Sequence, residues 1–473
     1  MLPAQKEGSR VMNQQELPSV DSTATGLQRS LKERHMRMIA LGGVIGAGLF
    51  VGSGVVVQAT GPAAVFSFAL TGLLVVLVMR MLGEMAAAFP AVGGFYEYNR
   101  LALGEFAGFM TGWMYWYFWI IVVAFEAVAG SKLLIGWFGT EWPGIQPWHY
   151  TLGLTSLFTV VNLLSVRSWG EAEYWFASIK VAAIALFLLI GVVVVLGLWH
   201  GVPGGFHLLT ENGGFMPKGI GPVLTGAVAA TGFYFGSEIV TVAAAESAEP
   251  ERAIARATQS VVSRVLVFYV GSIFLVVCIV PWNTDAMATP YVSVLNSLHV
   301  PYAGTAMGIV ILTAVLSCLN SGVFASSRMM MALARRGDAP RFFARLDRRG
   351  VPVAAILASM TFSFVAVYMN YLSPDKVFKF LVDSYGTVAI FVYVLIAFAE
   401  LGLRRRLERE CPERLVVRMW AFPWLTIVAI VMMFSVLGAM AFIPEQQQPL
   451  LFGVISAAVM AVGYAIFRRG RRV

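Results

Sequence analysis

An all-α polytopic membrane protein with twelve transmembrane helices is the fold class that the sequence predicts. Three observations predict it: an apolar composition, a division into runs of bilayer length, and a one-sided placement of basic residues. Of 473 residues, 58% are hydrophobic and 13% charged, with a mean hydropathy of +0.75, against roughly 45–50% apolar residues in a soluble domain. No soluble core has use for that much apolar surface. A helix crossing a bilayer needs about 20 consecutive apolar residues. Twelve such runs lie at approximately 38–58, 63–83, 106–130, 150–166, 172–198, 222–244, 261–281, 305–327, 353–370, 378–401, 422–443 and 449–467. A β-barrel would show alternating segments of about 10 residues with a polar inner face, whereas Val181 to Trp199 is apolar all round.

Charge sets the predicted topology. Distributing all 34 Lys and Arg over the tails and the nearest loops puts thirty on the side of the two tails and alternate loops and only Lys132, Lys218, Lys376 and Lys379 on the other. The positive-inside rule then puts both termini in the cytoplasm and makes the number of crossings even. The predicted parts are a partly disordered cytoplasmic tail over 1–37, a twelve-helix domain over 38–467 and a basic cytoplasmic C-terminus over 468–473. The tail has no signal-peptide pattern. A net charge of +8 is explained by this orientation together with contact to anionic head groups, so the bilayer, and not nucleic acid, is the expected partner. The three cysteines, Cys278, Cys318 and Cys411, have no paired spacing and suggest neither a disulfide framework nor a zinc site.

Two runs read as broken helices. In the first, Leu41 to Gly54 contains six glycines, each weakening a helix interior by roughly 1 kcal/mol against alanine. Unwinding near Gly46 to Gly48 frees backbone groups, which a membrane tolerates only around a cavity or ligand. The amides opening the second half-helix present positive dipole ends suited to a carboxylate. Close helix packing through small-xxx-small spacing is the competing reading. In the sixth run, Thr231-Gly232-Phe233-Tyr234-Phe235-Gly236-Ser237-Glu238 sets two glycines, three aromatics and a carboxylate inside an apolar span, with Ser237 placed to cap the second half. Runs one and six are each first in a block of five, about 38–198 and 222–401, followed by runs eleven and twelve over about 422–467. Because five is odd, the second block enters from the opposite face, the inverted repeat of many secondary transporters.

Charges inside these runs cost at least about 2.5–3.5 kcal/mol at the bilayer centre, so each calls for a role. Lys180 lies nine residues beyond Glu171, about 13 Å deeper at 1.5 Å per residue, where a buried amine alternates between charged and neutral forms as proton coupling requires; snorkelling is the alternative. Glu238, directly after the sixth-run break, is a candidate to hold the unwound backbone or to exchange protons. Glu246 is a candidate inner-gate group, or a solvated helix end. Glu126, which follows the aromatic stretch Trp113 to Trp119, is suited to a substrate ammonium with the rings as pocket wall or cation–π partners; an interfacial aromatic belt with a paired structural glutamate competes with this. Arg80 and Glu84 are spaced for a local ion pair. Ser317 and Asn320, within Ser317-Cys318-Leu319-Asn320-Ser321, either line the path or bond a neighbouring helix.

From about Leu27 to the C-terminus the chain resembles the amino acid permeases of the amino acid–polyamine–organocation superfamily, most closely the bacterial 4-aminobutyrate permeases. The stretches that carry the resemblance are Gly43 to Gly52, Ser237 to Ser247, Asn162 to Val166, Ser317 to Ser321, and Ser327-Arg328-Met329 with Arg335 to Pro340. It implies two inverted five-helix repeats plus two helices, alternating access, a bacterial inner membrane and an amino acid substrate. On the matching positions it implies that the amides of Gly46, Ala47 and Gly48 hold the substrate carboxylate. The carbonyls near Val44 and of Phe233, Tyr234, Phe235 and Gly236 would receive the ammonium. Lys180 falls where some relatives place a lysine in the position of a sodium site, which implies a proton as coupling ion and no other cofactor. An ω-amino acid such as 4-aminobutyrate is the expected substrate, with Glu126 as the distant ammonium acceptor; proline, lysine and aromatic amino acids are carried on similar frameworks. An amino acid exchanger and a membrane nutrient sensor are the alternatives. An enzyme is not expected, since His35, His149, His200, His207 and His299 are scattered through tails and loops. The sequence leaves the oligomeric state open.

Overall fold

A computed structural model describes residues 34–35, 38, 45–89, 94–139, 141–142, 144–164, 166–202, 204–239, 241, 261–262 and 264–470. Among the described residues every regular element is a helix, and there are no strands. A π-helical turn, Gly48–Gly52, leads into α1 (Ser53–Thr60), and a short 3-10 turn joins this to α2 (Ala64–Ala88). Then come α3 (Phe95–Leu103), α4 (Glu105–Phe138), α5 (Pro147–Leu164), α6 (Val166–Val195) and α7 (Ile220–Tyr234). A second π-helical stretch, Arg264–Gly271, opens into α8 (Ser272–Ile279). The remainder is α9 (Pro290–Ser297), α10 (Ala303–Arg336), α11 (Val353–Leu372), α12 (Pro374–Glu410), α13 (Trp424–Phe442) and α14 (Pro444–Gly470).

Each predicted run thus contains helix, but among the described residues eight stretches qualify by length and apolarity as membrane spans: Gly48–Ala88, Glu105–Phe138, Gly170–Val195, Ala303–Arg336, Val353–Leu372, Gly386–Glu410, Trp424–Phe442 and Gln446–Arg468. The difference from twelve has local causes. Gly48–Ala88 joins the second half of run one to run two, and the two meet at Gly61, whose φ of +74° is the conformation that glycine adopts without strain. The helix of run four is diluted by His149, Thr151, Thr155, Thr159 and Asn162. Runs six and seven appear as the shorter apolar helices Ile220–Tyr234 and Arg264–Ile279.

Burial sorts the spans into an inner and an outer set. About three quarters of the apolar windows of Gly48–Ala88, Glu105–Phe138 and Ala303–Arg336 are enclosed, against 6% for Gln446–Arg468. Leu186, Leu189 and Val192 on α6 and Val459, Val462 and Ile466 on α14 are exposed, a concentration that a water-facing surface does not carry. At the centre, α4 and α10 make the most extensive helix pair. Small residues allow it: a Cβ on Gly322 would stand 2.8 Å from the Trp119 ring, and one on Gly112 would stand 2.7 Å from Leu333. On the other side, Ser67 and Thr71 of α2 donate to the carbonyls of Val223 and Ala227 of α7, each at 2.7 Å. Matching four-residue steps on both helices fix their register.

Charged residues tie the helix ends together. Arg336 at the end of α10 grips Glu97 of α3 with two bonds of 2.7 and 2.8 Å. Tyr96 donates to Asp338 at 2.6 Å. Glu84 does not form the expected pair with Arg80, which donates to the Arg418 carbonyl at 2.8 Å. Its carboxylate, 1% exposed, is held by Arg404 of α12 at 2.6 Å and by the Met419 amide. The local spacing loses to a partner that brings its charge into the same buried place. Replacing Arg404 with Met strands that carboxylate, a loss of about 3–5 kcal/mol for a broken buried pair. Thermal unfolding in detergent is expected to drop by several degrees for R404M and to recover in part when E84Q is added; an unchanged transition contradicts this packing.

Candidate functional site

Where the described part of the first run begins, the chain is not regular α-helix. Ile45 is non-helical, Gly46 forms a bend, and regular α-helix begins at Ser53, after the π-helical turn. Two peptide groups freed there find side-chain partners. The Ala47 amide donates to both oxygens of the Glu126 carboxylate at 3.3 Å, and the Ile45 carbonyl accepts from Lys180 Nζ at 3.1 Å. A Cβ on Gly46 would run into Cys318 Cβ at 2.8 Å, with the Glu126 carboxylate closer still. Val44 lies outside the described residues.

A second interruption faces it. Helix α7 stops at Tyr234, Phe235 is extended (φ −66°, ψ 141°), and Gly236 takes φ +110°, a conformation strained for any other residue. Residues 235–238 form a turn, with Ile239 and Thr241 again helical. The Gly236 amide donates to Glu238 Oε2 at 2.9 Å, and Ser237 Oγ donates to the Tyr234 carbonyl at 3.0 Å. The Phe233 carbonyl is capped by the Tyr269 hydroxyl at 3.2 Å. Glu238, fully buried, also receives Tyr393 at 3.4 Å, and Arg264 donates to Ser237. Glu238 thus bonds the backbone of the turn at the Gly236 amide. Glu246 lies outside the described residues.

Aromatic rings fill the space between the breaks. The Phe233 ring lies on the glycine strip of the first helix: a Cβ on Gly48 or on Gly52 would come within 2.6 Å of it. Phe235 packs on Phe118 and Tyr393 at 4.1 and 4.8 Å between ring centroids, and Tyr234 stacks on Tyr269 at 4.2 Å. Of the aromatic stretch on α4, Tyr115, Phe118 and Trp119 are buried, whereas the indoles of Trp113 and Trp116 bond the Asp338 carbonyl and Ser359. These five rings are packed against neighbouring helices.

Lys180 is fully buried and does not snorkel. Besides the Ile45 carbonyl it donates to Ser317 Oγ at 2.8 Å, and Ser317 in turn donates to Glu173 at 2.6 Å. Ser317 is thus committed to two charged neighbours, and Asn320 accepts from Asn162 of α5 at 3.0 Å. Glu173 and Arg264 were not anticipated as site residues. The signal for Glu173 is its spacing, seven residues before Lys180, which puts both on one face of α6; Arg264 stands three residues inside the seventh apolar run.

The family model for amino acid permeases matches residues 35–469. A gamma-aminobutyric acid permease of Bacillus subtilis is 48% identical over 452 residues, 95% of this chain and 96% of the relative. A gamma-aminobutyric acid permease of Escherichia coli is 44% identical over 436 residues, 92% of each chain. An aromatic amino acid transport protein of Corynebacterium glutamicum is 41% identical over 424 residues, 88% of this chain and 90% of the relative.

The contact between Phe233 and the glycine strip predicts a compensated pair of substitutions. Gly48→Ala forces the ring off the first helix at an overpacking cost of about 1–3 kcal/mol, seen as a lower unfolding temperature in detergent. Phe233→Leu added to it recovers most of the loss. A G48A protein as stable as the native one would show that the ring does not press on the strip.

Proposed function

The chain belongs to the amino acid permease family, and from that premise we propose that it imports 4-aminobutyrate or a related zwitterion by proton symport with alternating access. It is a multi-pass membrane protein of amino acid transport; the substrate, the coupling ion and the cycle are the proposal. So are twelve crossings with both termini in the cytoplasm, as the basic residues suggest. The names of the two gamma-aminobutyric acid permeases favour the ω-amino acid.

One observation carries the reading: at the interruption of the first helix a peptide amide, that of Ala47, bonds a buried carboxylate. The group in that place belongs to Glu126. A substrate carboxylate has the same chemistry and takes the same amide, with those of Gly46 and Gly48 beside it. Glu126, released, turns to the ammonium at the far end of a 4-aminobutyrate molecule. The carbonyls of Phe233 to Gly236 offer further acceptors across the gap. Lys180 reads the change because it holds the Ile45 carbonyl, two residues from the amide that changes partner. Charged Lys180 favours one arrangement of the first helix and neutral Lys180 the other, and substrate shifts the balance through its unequal affinity for the two.

Proteoliposomes test this. Labelled 4-aminobutyrate is expected to enter vesicles free of internal amino acid, faster under an inward proton gradient. Lys180→Ala is expected to keep binding measurable and to abolish that acceleration. Uptake that requires internal amino acid would make the protein an exchanger, and gradient-driven uptake undiminished in K180A would take Lys180 out of the mechanism.

A further inference from the structure

Glu173 is a fully buried carboxylate outside the interrupted helices. It stands two turns before Lys180 on α6, about 10 Å nearer the helix start at 1.5 Å per residue. Between them lies Ser317 of α10. Lys180 Nζ donates to Ser317 Oγ at 2.8 Å, and that hydroxyl donates to Glu173 Oε1 at 2.6 Å. Both bonds run in the same sense, from ammonium through hydroxyl to carboxylate. A hydroxyl that only filled space would not need to be aligned with a donor behind it and an acceptor ahead.

We propose that Glu173 takes the proton of Lys180 through Ser317 and delivers it to the cytoplasmic mouth of α6. The inference rests on the reading of Lys180 as the coupling group and adds its exit route. One N–H proton of Lys180 passes to Ser317 Oγ as the hydroxyl's own proton passes to Glu173 Oε1. The products are a neutral amine, an intact hydroxyl and a neutral acid, so the step needs no other reactant. Glu173 then gives its proton to water at the start of α6 and returns to the carboxylate.

The surroundings fit such a transfer. Two opposite charges buried at this depth are costly to keep, and the transfer replaces them with two neutral groups. Asn320 and Ser321 of α10 also lie beside the Glu173 carboxylate, and Glu126 of α4 and Cys318 of α10 face Lys180. At the mouth, Glu171 is partly exposed and is bound by Arg34 and by His35. These groups stand where a proton leaving Glu173 meets water, on the side that the basic residues assign to the cytoplasm.

The test uses the full-length protein in proteoliposomes, with labelled 4-aminobutyrate as probe. Glu173→Gln is expected to lower net uptake under an inward proton gradient about tenfold or more, the scale of a lost acid–base group, while exchange against internal 4-aminobutyrate is retained. The native protein's net uptake is expected to rise with internal pH, and that of E173Q to stay flat. Glu173→Asp, which keeps the carboxylate, is expected to restore part of the uptake and its pH response, an outcome that a packing role does not give. A native internal-pH profile and native gradient-driven uptake in E173Q would overturn the relay. So would joint loss of exchange and net uptake in E173Q with E173D no better, which assigns Glu173 to packing. If the native protein itself shows no response to a proton gradient, the coupling premise fails and the relay with it; a native response that E173Q shares removes the relay alone.

Discussion

A peptide group withdrawn from water has to be given a partner, and in this chain that requirement is met by side-chain charge at two places. Where the first helix opens, the Ala47 amide rests on Glu126 and the Ile45 carbonyl on Lys180. Where α7 ends, the Gly236 amide rests on Glu238 and the Phe233 carbonyl on Tyr269. Removing these partners would leave unsatisfied polar atoms inside the bundle, at about 1–3 kcal/mol each or more. The glycines make the openings and the buried charges make them tolerable. Everything else in the centre, from the Phe233 ring on the glycine strip to the rings around Phe235, is packed around that arrangement.

The same arrangement links charge to backbone shape. Lys180, Ser317 and Glu173 form one chain of bonds that ends on the carbonyl of Ile45; at the turn at 235–238, Arg264 donates to Ser237 and, separately, Tyr393 donates to Glu238. Lys180 and Glu238 each bond a freed peptide group directly, so a change in the charge of either alters that bond. A zwitterion brings both an acceptor and a donor to those peptide groups, so it competes with the protein's own side chains for them. In the proposed cycle substrate and proton then act on the same few atoms, a physical basis for coupling that needs no long pathway.

Much of this was legible in the sequence, for reasons that can be named. Interior glycines weaken a helix wherever they fall, so the pair Gly232 and Gly236 marked the interruption after Tyr234, and the dense run from Leu41 to Gly54 marked the irregular stretch at 45–52. Lys180 stood out by depth alone, because a charge in mid-run is too costly to persist without a role. What stayed hidden depends on contacts between distant segments. Glu173 stands beside Glu171 at the start of an apolar run and reads as interfacial until α10 covers it. Arg264 stands near the start of its own run and reads the same way until Ser237 reaches it. Arg80 and Glu84 are correctly spaced to pair, yet Arg404, 320 residues away in the chain from Glu84, takes the carboxylate. Glu126 stands out in the sequence as a carboxylate deep in an apolar run, but its bond to the Ala47 amide, 79 residues away in the chain, is visible only in three dimensions.

The central claim is that the freed peptide groups at 45–47 and 235–238 are the ones that hold a zwitterion. An experimental structure in lipid nanodiscs with 4-aminobutyrate bound tests it most directly. The account predicts both helices interrupted at these residues, the ligand carboxylate within hydrogen-bonding distance of the Ala47 amide, and Glu126 moved off that amide toward the ligand's ammonium. A ligand carboxylate bound elsewhere, with Glu126 still on Ala47, or two helices continuous through these residues, would contradict it.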